Sequence, residues 1–279
     1  PEGKTLVASL PGVEAGSVIE YSVKRTLKNR PYFSMYRTFQ GYEPHRRMTV
    51  KLNIPSNIET HVVCDDNGIL NPGTVSGEGI IERQSSENQG TKKYVWTAKD
   101  LPALKAESSL PPKYAYTPFL RVSTGQIGEY ADMVSVAAAS RVASQEEKIS
   151  EKVKEITKDA ESDKEIIISI RDFAARNIRT AGPSYTRIPL AKHFTCRQTL
   201  ENGYGNRLDK AILTSKLLEL SGIENEIILP ANCGRLNEFE YLMKETVSPS
   251  LWGSPLVKTH TDEGGFYIGL DIRDEAGIL

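Results

Sequence analysis

The run LDKAILTSKLLELSG, residues 208–222, constrains this chain more than any other stretch. Its apolar residues Ala211, Ile212, Leu213, Leu217, Leu218 and Leu220 fall on nearly every side of a helix. A helix apolar on all sides has to be enclosed by other elements. Gly222 is a natural stop, because the position after a helix often adopts a left-handed conformation that glycine tolerates. Two more helices are expected upstream. Ser144 and Glu147 have capping-box spacing, and Ile149, Val153, Ile156 and Ala160 follow at helical intervals. Ser162 and Glu165 open a second such segment, with Ile166, Ile170, Phe173 and Ala174 as its apolar face. The charged run between them reads as a solvated helix face with charge pairs. Three strands are expected after the buried helix, in NEIILPA, SPLVKT and FYIGLD, with a long irregular stretch between the first two.

The first part of the chain has a different pattern. KTLVASL, SVIEYSVKRTL, YFSMYRTF, RRMTVKLNI, ETHVVC, GIIERQ and KKYVWTA are short runs rich in Val, Ile, Tyr, Phe and Thr. Turn-forming residues separate most of them, and VIEYSVK alternates with period two. FLRVST follows a proline-containing extended connection. This pattern predicts an antiparallel β-sandwich. The order of elements predicts a two-domain chain. A β-sandwich domain spans 1–125, a linker 126–143, and an α+β domain 144–279. Pro1 in place of methionine points to missing upstream sequence, and the last expected strand ends close enough to Leu279 for further domains to follow.

Composition narrows the function classes. A net charge of −1 gives no basis for nucleic-acid binding. No apolar run approaches the roughly 18 residues that span a membrane. The cysteines Cys64, Cys196 and Cys233 form no CxxC pair, so neither a structural zinc site nor any other metal or cofactor is expected.

The stretch ENGYGNRLDKAIL, with LSGIENEIIL after it, resembles the bacterial transglutaminase-like (cysteine-protease-like) superfamily. The family motif runs glycine, Asp or Asn, cysteine, a variable residue, aspartate, then an apolar helix. Here Gly205, Asn206, Arg207, Leu208 and Asp209 occupy those places. SLPGVEAGSVIEYSVKRT and YVWTAKDLPALKAESSLPP resemble the domain of unknown function that often precedes it in exported bacterial proteins. The resemblance implies an N-terminal antiparallel β-sandwich followed by an α+β transglutaminase-like (papain-like) domain. It also implies an exported, periplasmic or cell-envelope protein.

In that family a cysteine at the first helical turn gains thiolate character from the helix N-terminus. A histidine on a neighbouring strand takes its proton, and an aspartate orients the histidine. Arg207 stands at the cysteine position, and a permanently protonated guanidinium cannot attack an acyl carbon. Asp271 matches the aspartate. A hairpin turning near Asp262 to Gly265 would set Asp271 opposite Pro255 or Leu256, neither of which shuttles a proton. His260 would then lie about 17 Å from the level of Asp271 at about 3.3 Å per residue. The triad positions Arg207, Pro255 and Asp271 therefore read as degenerate.

Cys196 and His193 in KHFTCRQTL form an alternative nucleophile pair, and Cys233 is a weaker candidate. Asn206, Asp209 and Trp252 are candidates for lining a ligand cleft, whereas Trp96 is expected in the core. Three readings stay open. The chain is a binding or scaffolding module for a peptide, protein or glycan; an active cysteine peptidase or transglutaminase-like acyl transferase with a relocated nucleophile; or a structural piece of a larger envelope protein. Whether it is an enzyme is open at this point.

Overall fold

The expected buried helix is α5, Arg207–Leu220, and described residues of its half of the chain form a core around it. In the computed structural model, residues 9, 11–20, 22–23, 26, 32–70, 80–125, 127–142, 146–230, 242, 246–247, 252–261 and 264–270 are described. Among them the chain is a mixed α+β structure with five helices and several antiparallel sheets. Leu208, Ala211, Ile212, Leu213, Leu217 and Leu218 are each at most 1% exposed. Each such leucine contributes about 1.5–3 kcal/mol by leaving water. The helix ends at Ser221, and Gly222 follows with φ of +81°. The Ile223 N–H then reaches back to the Leu218 carbonyl at 2.9 Å, which closes the last turn.

The walls around α5 are α1 (Ile127–Val142), α2 (Glu146–Ile156), α3 (Asp163–Asn177) and α4 (Cys196–Asn202), with strands β9 (Asn225–Ile228) and β10 (Leu256–Thr261). Helix α3 starts at Ser162, whose side chain accepts the Glu165 N–H, as the spacing predicts. The Glu165 carboxylate reaches the Glu161 N–H and not that of Ser162, so the box is only half closed. The Ser144 cap lies outside the described residues. Strands β9, β10 and β11 (Gly264–Ile268) form one antiparallel sheet with Val257 opposite Ile268 and His260 opposite Gly265.

The stretch expected as a linker, 126–143, is described over 127–142. It carries α1, and Tyr130, Val134 and Ala138 are buried in the same core as α5. Those three residues recur every fourth position, which is a helical stripe. Their alanine- and serine-rich surroundings hide it.

Among the described residues six strands precede α1: β1 (Ser34–Thr38), β2 (His45–Pro55), β3 (Thr60–Asp65), β4 (Ile81–Asn88), β5 (Thr91–Leu101) and β6 (Phe119–Thr124). They form two antiparallel sheets, ordered β1-β6-β3 and β2-β5-β4. Trp96, Ala98 and Leu101 of one sheet share a core with Leu120 and Val122 of the other. Trp96 is 3% exposed and stacks on Tyr94, as expected for a core residue. The β4–β5 turn has positive φ at both Gln89 and Gly90, the two-residue geometry that suits strand twist.

The strand expected over 17–27 is not formed by its described residues. Val18 is 95% exposed, and neither it nor Ile19, Glu20, Ser22 or Val23 pairs with another strand. Period-two alternation states which faces a strand would have, but an adjoining edge has to supply the hydrogen bonds. The KTLVASL run lies outside the described residues except for Ser9, which is in no strand.

The two halves touch. The Val247 N–H donates to Ser123 Oγ at 2.9 Å, Leu242 packs with Tyr114 and Phe119, and the Tyr32 ring meets Tyr130 edge-on at 4.8 Å.

Candidate functional site

Two short strands set the entry to α5. β7 (Arg179–Thr180) runs parallel to β8 (Tyr204–Gly205), so Thr180 lies level with Gly205. Asn206 then caps the helix, its side-chain oxygen accepting the N–H groups of Leu208 and Asp209. Asp209 completes the box by accepting the Asn206 N–H at 2.9 Å. The Asn206-x-x-Asp209 spacing is legible in the sequence as a capping signal.

Asp209 does more than cap. Its Oδ1 accepts the Phe194 N–H at 3.0 Å and lies 3.0 Å from His193 Nδ1. Both side chains are buried, so their pairing holds the 193–194 segment against the start of α5. Asn206 Nδ2 is also 3.2 Å from His193 Nδ1. One ring nitrogen cannot donate to the carboxylate and accept from the amide at once. The carboxylate is the stronger partner, so Nδ1–H pointing at Asp209 is the assignment the network favours. His193 Nε2 is buried with no hydrogen-bond partner among the described residues.

The alternative nucleophile pair does not assemble. Cys196 is fully buried, and its thiol donates to the Ile212 carbonyl at 3.6 Å, while His193 is engaged with Asp209. Burial pushes the Cys196 thiol up to about 12 from its ordinary value. A thiol there is neither ionised near neutral pH nor reachable by a substrate. Cys196 does sit at a helix entry, on the first turn of α4 behind a Thr195–Gln198 capping box. Desolvation outweighs that short helix. Cys64 lies in β3, and Cys233 falls outside the described residues.

Arg207 is exposed at the first turn of α5, on the rim of a cavity of about 290 Å³. Its guanidinium donates to Ser254 Oγ. Thr180 to Tyr185 form one wall, Trp252 to Ser254 the other, and Asn206 sits beside Arg207. Two of the three expected cleft residues, Asn206 and Trp252, thus line one space. Asp209 does not; it lies 3% exposed beneath the helix entry. Trp252 is itself 8% exposed, tilted against the Tyr130 ring at 4.8 Å. The Tyr185 hydroxyl crosses to the Gly253 carbonyl at 3.0 Å, tying the two walls together. Burial raises that phenol to about 12. Pro255 is buried just ahead of β10 and has no proton to exchange. Asp271 lies outside the described residues. The 180–185 wall was missed in sequence because short polar turns carry no periodic signal.

Gly205 has no room for a side chain. A Cβ there would lie 2.8 Å from Asp209 Cβ and 3.3 Å from Thr199 Cγ2. Gly205→Ala is expected to cost about 1–3 kcal/mol through overpacking. Urea unfolding measures it, and a variant as stable as the parent would show that the 204–206 turn yields freely.

Residues 2–105 match the family model DUF3857, a domain of unknown function with solved structures. A search of curated proteins finds no match. Among solved structures the chain is similar to one titled "putative protease" from Parabacteroides distasonis, at 20% identity and TM-score 0.66 over 86% of this chain. The chain spans 43% of that protein's length. A second, titled "putative cysteine protease" from Cytophaga hutchinsonii, aligns with 89% of this chain and 82% of its own at 13% identity and TM-score 0.38. The Parabacteroides likeness is one of fold.

Proposed function

We propose that this chain is a catalytically degenerate transglutaminase-like protein, a β-sandwich domain followed by a papain-like domain, in an exported bacterial protein. Its cleft binds a peptide or glycan without cleaving or cross-linking it. One observation carries the reading: Arg207 occupies the first turn of α5 at the rim of the cavity, where the family motif has its cysteine. The neighbouring chemistry supports it. Cys196 is sealed, Pro255 cannot relay a proton, and His193 Nδ1 faces Asp209. An arginine at a helix N-terminus opposes the macrodipole at about 0.3–1 kcal/mol, so helix stability does not account for it.

The test has a catalytic arm and a binding arm. Labelled casein and a dansyl-cadaverine acceptor are expected to show no turnover above the heat-inactivated control, with or without iodoacetamide. In the second arm, a mixed casein digest or peptidoglycan fragments are expected to shift NMR signals of the cavity walls. Iodoacetamide-sensitive turnover would sink the reading, and so would cavity signals that move with neither ligand set.

A further inference from the structure

We infer that the outward face of the β2-β5-β4 sheet is a docking surface for a linear, carboxylate-bearing polysaccharide. This surface is not the cavity, so it stands or falls apart from the reading of the cleft. Strand alternation defines the face. Met48, Val50 and Leu52 of β2, and Tyr94, Trp96 and Ala98 of β5, turn inward to the core. On β2 that leaves Arg47, Thr49, Lys51 and Asn53 outward. On β5 it leaves Lys93, Val95, Thr97 and Lys99, with Glu82, Gln84 and Ser86 of β4 level with the first three in reverse order.

The face is basic. Arg47, Lys51, Lys93 and Lys99 are all exposed cations. Glu82 is the one anion among these residues, and Lys99 takes it at 2.6 Å. The Lys99 hydrogen bond, with a smaller contribution from Arg47, holds the Glu82 carboxyl below its ordinary value. Lys51 and Lys93 have no ion pair among the described residues. Fold stability does not account for these cations. Arg47 stands directly opposite Lys99, and like charges facing each other across two strands oppose their pairing. Lysines on edge strands guard against aggregation, but Lys93 and Lys99 lie on β5, the middle strand.

The arrangement suits an extended polyanion. Lys99 and Lys93 are about 20 Å apart along β5 at about 3.3 Å per residue, and Lys51, level with Val95, lies between them on β2. The groups among the cations favour a glycan. Asn53, Gln84 and Ser86 have no side-chain hydrogen-bond partner among the described residues. The hydroxyls of Thr49 and Thr97, 3.2 Å apart, share one bond and keep a second hydrogen to donate. A uronate unit carries a carboxylate and hydroxyls on each ring and so meets both kinds of group. An acidic peptide laid on this face meets chiefly the cations, because β2 and β4 use the backbone groups of β5 on both sides. Tyr94 and Trp96 face inward, which leaves the bases of a single-stranded nucleic acid no ring to stack on.

The probes are fluorescein-labelled octagalacturonate, its fully methyl-esterified form and an octaglutamate peptide, each titrated with the full chain and read by fluorescence anisotropy. The octauronate is expected to bind, and its uncharged ester to bind at least tenfold more weakly. Sodium chloride at about 1 M, which screens charges beyond about 3 Å, should abolish the binding. The triple variant Arg47→Gln, Lys51→Gln, Lys93→Gln should bind the octauronate about tenfold more weakly, the sum of three exposed charge contacts of modest size. A control that removes three cations elsewhere, Lys154→Gln, Lys158→Gln and Lys192→Gln, should bind like the parent. Circular dichroism checks that both variants are folded. Ester binding as tight as that of the acid, or an equal loss in the control variant, overturns the basic face as the site. Octaglutamate binding as tight as that of the octauronate overturns the choice of polysaccharide. No anisotropy change with the octauronate overturns the inference outright, while the casein and peptidoglycan titrations still decide the cleft.

Discussion

Asp209→Ala is expected to destabilise the protein by about 3–5 kcal/mol, because three donors lose one shared acceptor and each unmade buried bond costs about 1–3 kcal/mol. One side chain serves three groups: the backbone N–H of Asn206, the backbone N–H of Phe194 and the His193 ring. Alanine leaves all three donors without this acceptor, the Asn206 N–H and the His193 ring buried and the Phe194 N–H half-buried, and unmade buried bonds are costly. At roughly 2–4 °C per kcal/mol for a protein of this size class, the midpoint of thermal unfolding should drop by about 10 °C. Asp209→Asn keeps one carbonyl acceptor and should lose less. A cycle with His193→Ala should show coupling above about 0.5 kcal/mol, since contacting residues are not additive. A loss below about 1 kcal/mol for Asp209→Ala would mean that water or a rearranged turn replaces the carboxylate.

Cys196 is expected to react with iodoacetamide roughly a thousandfold more slowly than an exposed cysteine at pH 8, because the thiolate is the reacting species. Desolvation raises its thiol to about 12 from 9.0, and no surface leads to it. Mass-spectrometric mapping of the modified sites separates it from Cys64 and Cys233. In denaturing guanidinium chloride the difference should vanish. Stoichiometric labelling of Cys196 in the folded protein would contradict the burial and reopen the relocated-nucleophile reading.

The same shift has a stability consequence. The unfolded chain releases the thiol proton near its ordinary value, while the folded chain holds it up to about 12. In that window the unfolded state binds fewer protons, so stability falls as pH rises. Tyr36 and Tyr185, each raised by burial from 10.0 to about 12, act in the same direction. The urea midpoint should therefore decline from about pH 9 upward. These three groups contribute no slope below that.

The sequence was read most reliably where burial leaves a repeating mark. The enclosed character of α5, its Gly222 end, the Ser162 start of α3 and the hairpin after residue 255 were all legible. Helix α1 was not, because small residues dilute a stripe that only Tyr130, Val134 and Ala138 declare. The strand pattern over 17–23 was legible, but whether it finds an edge to pair with is not a local property.

For the site, the sequence alone determined that no thiol stands at the start of α5, because Arg207 is a matter of residue identity. It also placed Asn206 and Trp252 as cleft candidates. Only the tertiary structure decided which polar groups meet. His193 and Asp209 are 16 residues apart and touch because a loop folds back onto the helix entry. His193 and Cys196, three residues apart, take different partners because one ring faces the entry turn of α5 and the thiol faces its interior. Spacing along a chain fixes which residues share a helix or a strand. Burial, access and hydrogen-bond partners arise from long-range packing, and they settle whether a side chain can react.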